Sequence, residues 1–253
     1  MVDQTTMMKR QQVLAAFGEY AIRAEQLDDV LTEACRLVGT ALGTARAKIL
    51  EIQEGRQELL VRAGAGWAPD VVGRIHLSMS DRSSETYSIN VGQPVISRDI
   101  AKEDRFDVPN FMKDAGVAAF VNVPIFVPGG RPYGVLQVDD TKPRDFGEDE
   151  VQFLRTYAMI LGPVIDRLHL VEERARAAER LRESETRYQS LFDTIDEGYC
   201  LVEVVRDENG AAIDLIPREV NRAWLEKTGV PDPVGKRWTE VMPDLEKHLA
   251  GLL

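Results

Sequence analysis

Residues 118–138 read AAFVNVPIFVPGGRPYGVLQV, and this stretch decides the fold class. Ala118–Val127 is dominated by apolar, β-branched and aromatic residues, Pro128–Gly129–Gly130 makes a turn, and Tyr133–Val138 returns, which predicts an antiparallel hairpin. Just downstream, Phe146–Gly147–Glu148–Asp149–Glu150 sets acidic residues where the first turn of a helix favours them. Upstream, residues 9–43 carry a helical apolar stripe from Val13 to Leu42, with a break or capped restart at Leu27–Asp28–Asp29 and Gly43 as the stop. Two strands, Ala47–Ile52 and Glu58–Ala63, flank a turn at Glu54–Gly55, and Ala63–Pro69 reads as a glycine-rich loop. Short helices at Ser83–Asn90 and Phe111–Gly116 enclose a brief strand at Pro94–Ser97 and a charged loop, Asp99–Pro109. The order predicts an α+β domain whose antiparallel sheet carries its terminal helices on one face.

A long helix from Gly147 to about Phe192 follows the hairpin. Its apolar residues Leu154, Tyr157, Leu161, Val164, Leu168, Val171, Ala175 and Ala178 step by three and four in turn, about 3.5 residues on average, the seam of a left-handed coiled coil. These eight are the expected homodimer interface. The seam thins from leucine to alanine and changes phase near Leu181. At about 1.5 Å per residue such a helix runs about 70 Å, more than one domain core needs. The alternative is a surface helix packed on its own domain.

The chain has 253 residues, 44% of them hydrophobic, and a formal net charge of −11. That charge argues against nucleic acid as a partner. The basic residues between Arg174 and Arg187 alternate with glutamates and read as a solvated helix face. No apolar run is long enough for a bilayer and the start lacks a secretory profile, so a cytoplasmic protein without membrane contact is expected. Cys35 and Cys200 stand alone, which disfavours a structural disulfide or a zinc site.

Several ordered motifs carry a family resemblance: Gly92–Gln93–Pro94–Val95–Ile96, then Asp99, Arg105 and Phe106, Val123–Pro124–Ile125, Tyr133–Gly134–Val135–Leu136, and Phe146 with Asp149–Glu150. Over residues 20–170 the chain resembles a GAF domain, which implies a profilin-like antiparallel sheet with helices. Farther on, Ile195–Asp196–Glu197–Gly198–Tyr199, Asn221 with Ala223, Thr228–Gly229 and Gly235–Lys236 resemble the first half of a PAS domain. That half is similar to those of alphaproteobacterial sensor histidine kinases, also through Pro243–His248. The expected organisation is residues 1–170 as GAF domain with its flanking helix, 171–190 as coiled-coil linker and 191–253 as partial PAS domain. Two PAS strands alone would be marginal in water.

The GAF resemblance implies a pocket between the sheet and its short helices. Its expected lining is Trp67, His76, Ser84, Tyr87, Phe106, Phe111, Phe120, Asn122 and Gln137, aromatics for a planar ligand and two mid-strand amides to hydrogen-bond it. The competing reading makes the aromatics core and the amides local caps. Known GAF chemistries fit poorly. Bilin attachment requires a pocket cysteine, the cyclic-nucleotide signature is matched only at its end, and a sulfoxide reductase needs several cysteines. No flavin or haem motif is present, so the cofactor is unknown. His169 reads as a solvated helix histidine, Asp139–Asp140 as a strand-end turn. The expectation is a non-catalytic sensory module of two-component signalling, homodimeric through its terminal helices, with a possible small-molecule ligand and its output kinase domain outside this chain. The alternative is a ligand-free GAF dimerisation module; an enzyme would need a reactive thiol.

Overall fold

The computed structural model describes residues 4–44, 46–53 and 55–241. Pro243–His248 and Glu54 of the first turn lie outside the described residues. The chain divides into two compact units between Glu173 and Arg174.

The first unit begins with α1 (Gln4–Arg23) and α2 (Leu27–Leu42), so the helical stripe is broken where Leu27–Asp28–Asp29 suggested. Asp28 and Asp29 occupy the first turn of α2, and Gly43 ends it at φ 63°, returning its N–H to the Gly39 carbonyl. Strands β1 (Arg46–Gln53), β2 (Glu58–Ala65) and β3 (His76–Ser78) follow. Then come α3 (Ser84–Val91), β4 (Val95–Ser97), α4 (Asn110–Asp114), β5 (Ala119–Phe126), β6 (Pro132–Asp140) and α5 (Glu148–Thr194), the last continuing into the second unit. The strands form one antiparallel sheet in the order β3-β2-β1-β6-β5-β4. Two details depart from expectation. Ala63–Ala65 belongs to β2 instead of the glycine-rich loop, and β3 is a short edge strand that three residues of pattern did not announce.

The helices α1, α2 and the first part of α5 cover one sheet face, where Phe17, Leu31, Ile49, Val121, Leu136, Tyr157 and Leu161 share a core. A bulge leaves Arg62 without a partner between the Ile49–Ala63 and Leu50–Val61 pairs. Ala63 therefore faces the helices while Val61, two residues away, joins Leu50 and Val135 on the opposite face. Two glycines allow backbones to meet. A Cβ on Gly134 would lie 1.8 Å from the Leu50 carbonyl oxygen, and one on Gly162 would lie 2.0 Å from that of Phe126.

The expected dimer seam is corrected over its first half. Leu154, Tyr157, Leu161 and Leu168 are buried in the core of their own unit, and Val164 packs partly buried against it. The reason is that α1 and the sheet supply the surface a second helix was expected to supply; Phe17 stacks on Tyr157 with ring centroids 4.5 Å apart. Val171, Ala175 and Ala178 remain exposed. His169 is half-buried, its ring 5.9 Å from that of Tyr133, and so is not the solvated histidine expected.

Many of the motif residues are structural. Asp99 caps a 3-10 turn by accepting from Ala101 N–H at 3.1 Å. Arg144 donates to Asp140 at 2.9 Å, to Glu150 at 2.6 Å and to the Leu42 carbonyl at 2.9 Å, while its guanidinium lies over the buried Phe146 ring. Arg105 forms a two-pronged pair with Glu103, at 2.9 and 2.7 Å, and donates to the Ile96 carbonyl. That guanidinium holds the Glu103 carboxyl down at about 2, against an ordinary 4.5. A depressed carboxyl stabilises the fold above its ordinary value and loses that contribution as pH falls toward 2. Thermal melts should therefore show a smaller loss of stability between pH 4.5 and 2 in Glu103→Gln than in the unaltered protein. Equal losses would contradict the assignment.

In the second unit α5 runs on to Thr194, followed by β7 (Cys200–Arg206), β8 (Ala212–Val220), α6 (Arg222–Thr228) and α7 (Trp238–Val241). The strands pair as an antiparallel hairpin closed by Asp207, whose side chain accepts from the N–H groups of Asn209 and Ala211. Asn221 is fully buried and ties the unit together. Its Oδ1 accepts from Tyr199 and Trp224 N–H at 2.8 and 2.9 Å, and its Nδ2 donates to the Glu197 carbonyl at 2.8 Å. The two-stranded sheet leaves Leu201, Val204 and Ile213 exposed.

Candidate functional site

The sheet face away from the long helices carries a buried polar cluster. Strand alternation puts Lys48, Gln137 and Asn122 on this face, and the register sets them side by side: Lys48 opposite Gln137, Gln137 opposite Asn122. Asp139 lies two residues beyond Gln137 on the same strand face. All four are fully buried or within 1% of it.

Lys48 Nζ donates to Asp139 Oδ2 at 2.8 Å, and Gln137 Nε2 donates to Asp139 Oδ1 at 2.7 Å. The Lys48 ammonium sits 4.4 Å from the Trp67 ring centroid and 5.7 Å from that of Phe111. Gly64 lets Trp67 come this close, since a Cβ there would stand 3.0 Å from the indole Cδ1. Burial pushes the Lys48 ammonium down and the Asp139 carboxyl up, each toward its neutral form, and the charge of each opposes the shift of the other.

Helix α3 closes the cluster. Ser83 caps it by accepting from Thr86 N–H at 3.1 Å. Glu85 is 2% exposed; its Oε2 accepts from the hydroxyls of Ser83 at 2.9 Å and Ser84 at 3.1 Å. Ser84 in turn accepts from Asn122 Nδ2 at 3.0 Å, which joins the helix to β5. Apolar walls come from Met112, Phe120, Phe111 and Trp67. Several buried polar atoms here have no partner among the described residues: Glu85 Oε1, Asn122 Oδ1, Gln137 Oε1 and Trp67 Nε1.

The structure thus brings together Trp67, Ser84, Phe111, Phe120, Asn122 and Gln137 of the expected lining. Tyr87 is half-exposed and packs against the buried Phe106 at 5.5 Å, with Arg105 over the Phe106 ring. His76 is not in the cluster. It lies exposed on edge strand β3, its Nδ1 3.3 Å from Glu58, because the register puts it opposite Leu60. Sequence reasoning missed Lys48, Asp139 and Glu85. Asp139–Asp140 is no strand-end turn: both residues lie within β6, Asp139 buried on Lys48 and Asp140 paired with Arg144. The signal available was register: Lys48 pairs with Gln137, and Asp139 lies two residues beyond Gln137 on the same strand face.

Cys35 is buried among the helix-side core, and burial drives its thiol pKa far above the ordinary range. No described group of His, Cys, Asp and Glu has the makings of a metal site. Among the described residues, no helix is long and apolar enough to cross a membrane.

A six-stranded antiparallel sheet with paired terminal helices on one face, and a polar cluster roofed by short helices on the other, defines an α+β sensor-type domain. The chain belongs to the GAF domain family, whose model matches residues 26–165. GAF domains serve as sensory domains in signalling proteins. Over 137 residues the chain is 33% identical to the methyl sulfide methyltransferase-associated sensor of Methanosarcina acetivorans, a match covering 49% of this chain but only 12% of that protein. The fold is similar to the GAF domain of an Acinetobacter phosphoenolpyruvate-protein phosphotransferase, with 24% identity and a TM-score of 0.56 over 65% of this chain and 97% of that one. It is also similar to the free methionine-R-sulfoxide reductase of Neisseria meningitidis, solved with its substrate, at 16% identity and a TM-score of 0.57, covering 68% and 96%.

Proposed function

We propose that this chain is the sensory input part of a bacterial signalling protein, binding a small molecule at the polar cluster and passing the event along α5. The observation that carries this reading is the row of buried, unpartnered polar atoms between Trp67 and α3. Buried polar atoms are nearly always satisfied, so a cluster of them marks a place for a guest. A thermal-shift screen of the chain against a metabolite library should give at least one compound that raises the melting temperature in proportion to its concentration. A library without such a compound would leave the ligand-free dimerisation module as the better account.

The enzyme reading is disfavoured by Cys35, whose buried thiol is the opposite of an activated nucleophile. For the second unit we propose a PAS relationship. It rests on Asn221 knitting the strand and helix starts and on Leu201, Val204 and Ile213, which further strands would cover. Such a tandem suits the input side of a cytoplasmic two-component histidine kinase, with no catalysis within residues 1–253.

Transmission is proposed to run through a homodimer. With Leu154 to Leu168 committed to the core, the seam falls to the exposed Val171, Ala175 and Ala178 and the turns beyond them. Small alanine layers permit several helix packings of similar energy, which a ligand with unequal affinities can choose among. Light-scattering mass measurement should find a dimer that Ala175→Glu with Ala178→Glu converts to monomer. A monomeric unaltered chain at high micromolar concentration would refute the dimer.

A further inference from the structure

Three side-chain oxygens of the cluster lack a donor: Glu85 Oε1, Asn122 Oδ1 and Gln137 Oε1. Their neighbours fix this orientation. The Ser84 hydroxyl spends its hydrogen on Glu85 Oε2, so its oxygen accepts from Asn122, which must present Nδ2 and leave Oδ1 free. Asp139 Oδ1 accepts from Gln137, which must therefore present Nε2 and leave Oε1 free. Both serine hydroxyls go to one oxygen of Glu85, and the other has none. All three residues are 2% exposed or less, and Asn122 and Gln137 are cross-strand neighbours.

The surplus is of acceptors, so the guest must bring donors. An anion would face three oxygens, and the cation that might attract it, Lys48, is already held by Asp139 at 2.8 Å. The formal charges of Lys48, Asp139 and Glu85 leave one negative charge over. A bare metal ion would find one carboxylate oxygen and two amide oxygens here, short of the roughly six or more oxygens that hard cations take. We propose that this polar cluster takes a small organic cation rich in N–H donors, an alkylammonium or amidinium. Its head would lie on Glu85, Asn122 and Gln137, and its apolar remainder against Met112, Phe111 and Phe120. The inference rests on the ligand-binding reading above and names the class of that ligand.

Acetamidinium, acetamide and acetate share a planar shape and size and differ in charge, which makes them direct probes. Calorimetric titration of the full chain, at matched ionic strength, should rank acetamidinium above acetamide and acetamide above acetate. The gap between the first two should be about tenfold or more, as expected when a hydrogen bond gains a charge. Glu85→Gln, which retains an acceptor for the serines, should erase that gap; the ranking in the unaltered chain needs no variant and stands even if Glu85→Gln fails to fold. Preference for acetate, or equal binding of acetamide, would overturn the proposal. Failure of acetamidinium and of alkylammonium salts to bind, beside a neutral or anionic hit in the metabolite screen, would overturn the ligand class while leaving the sensor reading. Silence in both experiments would remove the two together and assign the free oxygens to ordered water.

Discussion

Lys48→Met should destabilise the first unit by about 3–5 kcal/mol, the usual consequence of leaving one member of a buried ion pair alone. The side chain is fully buried, and its loss leaves Asp139 with the Gln137 amide as its remaining hydrogen-bond donor in the cluster. The carboxyl can then escape its burial penalty by binding a proton. Its folded pKa would rise further above the unfolded value, so the folded state would hold more protons than the unfolded one. Stability of the variant should consequently fall as pH rises from about 4 through neutrality. The double replacement Lys48→Met with Asp139→Leu removes both charges and should recover a large part of the loss, along with the pH dependence. Urea melts of the three proteins at two pH values would decide it. A single variant as stable at pH 8 as at pH 5 would show that Asp139 is not buried alone.

Gly162→Ala should cost about 2 kcal/mol or more, against the direction that helix propensity dictates. In the middle of an exposed helix the same change would stabilise by up to about 1 kcal/mol. Here the new methyl would stand 2.0 Å from the Phe126 carbonyl oxygen and 3.0 Å from its carbon, backbone atoms that have no rotamer to yield. Either α5 retreats from the end of β5 or the strand end moves, and both break packing around Leu161 and Ile165. Thermal denaturation would show the sign directly. A stabilised variant would mean that α5 does not touch the sheet at this point.

Much of the architecture was legible because it depends on local signals. Gly43 and Gly92 end helices at positive φ, Asp28–Asp29 restart one, and the Pro128–Gly130 turn joins β5 to β6. The amides Asn122 and Gln137 stood out as polar residues in apolar strands. Lys48 and Asp139 did not, since lysine and aspartate on a strand normally face water, and only the register between β1 and β6 shows them sharing a buried face. His76 failed for the complementary reason: nothing local told an edge strand from a pocket wall. Over Leu154 to Leu168 the expected seam on α5 is covered by its own unit, because a stripe of leucines does not record whether a second chain or its own sheet covers it.

The pairings Arg10 with Glu150, Phe17 with Tyr157 and Arg167 with the Ala21 carbonyl advance in step along α1 and α5. The first and last helices of the domain thus lie side by side with the same polarity. The chain enters this helical layer at one pole and leaves it at the other, and crosses the layer without a hairpin reversal.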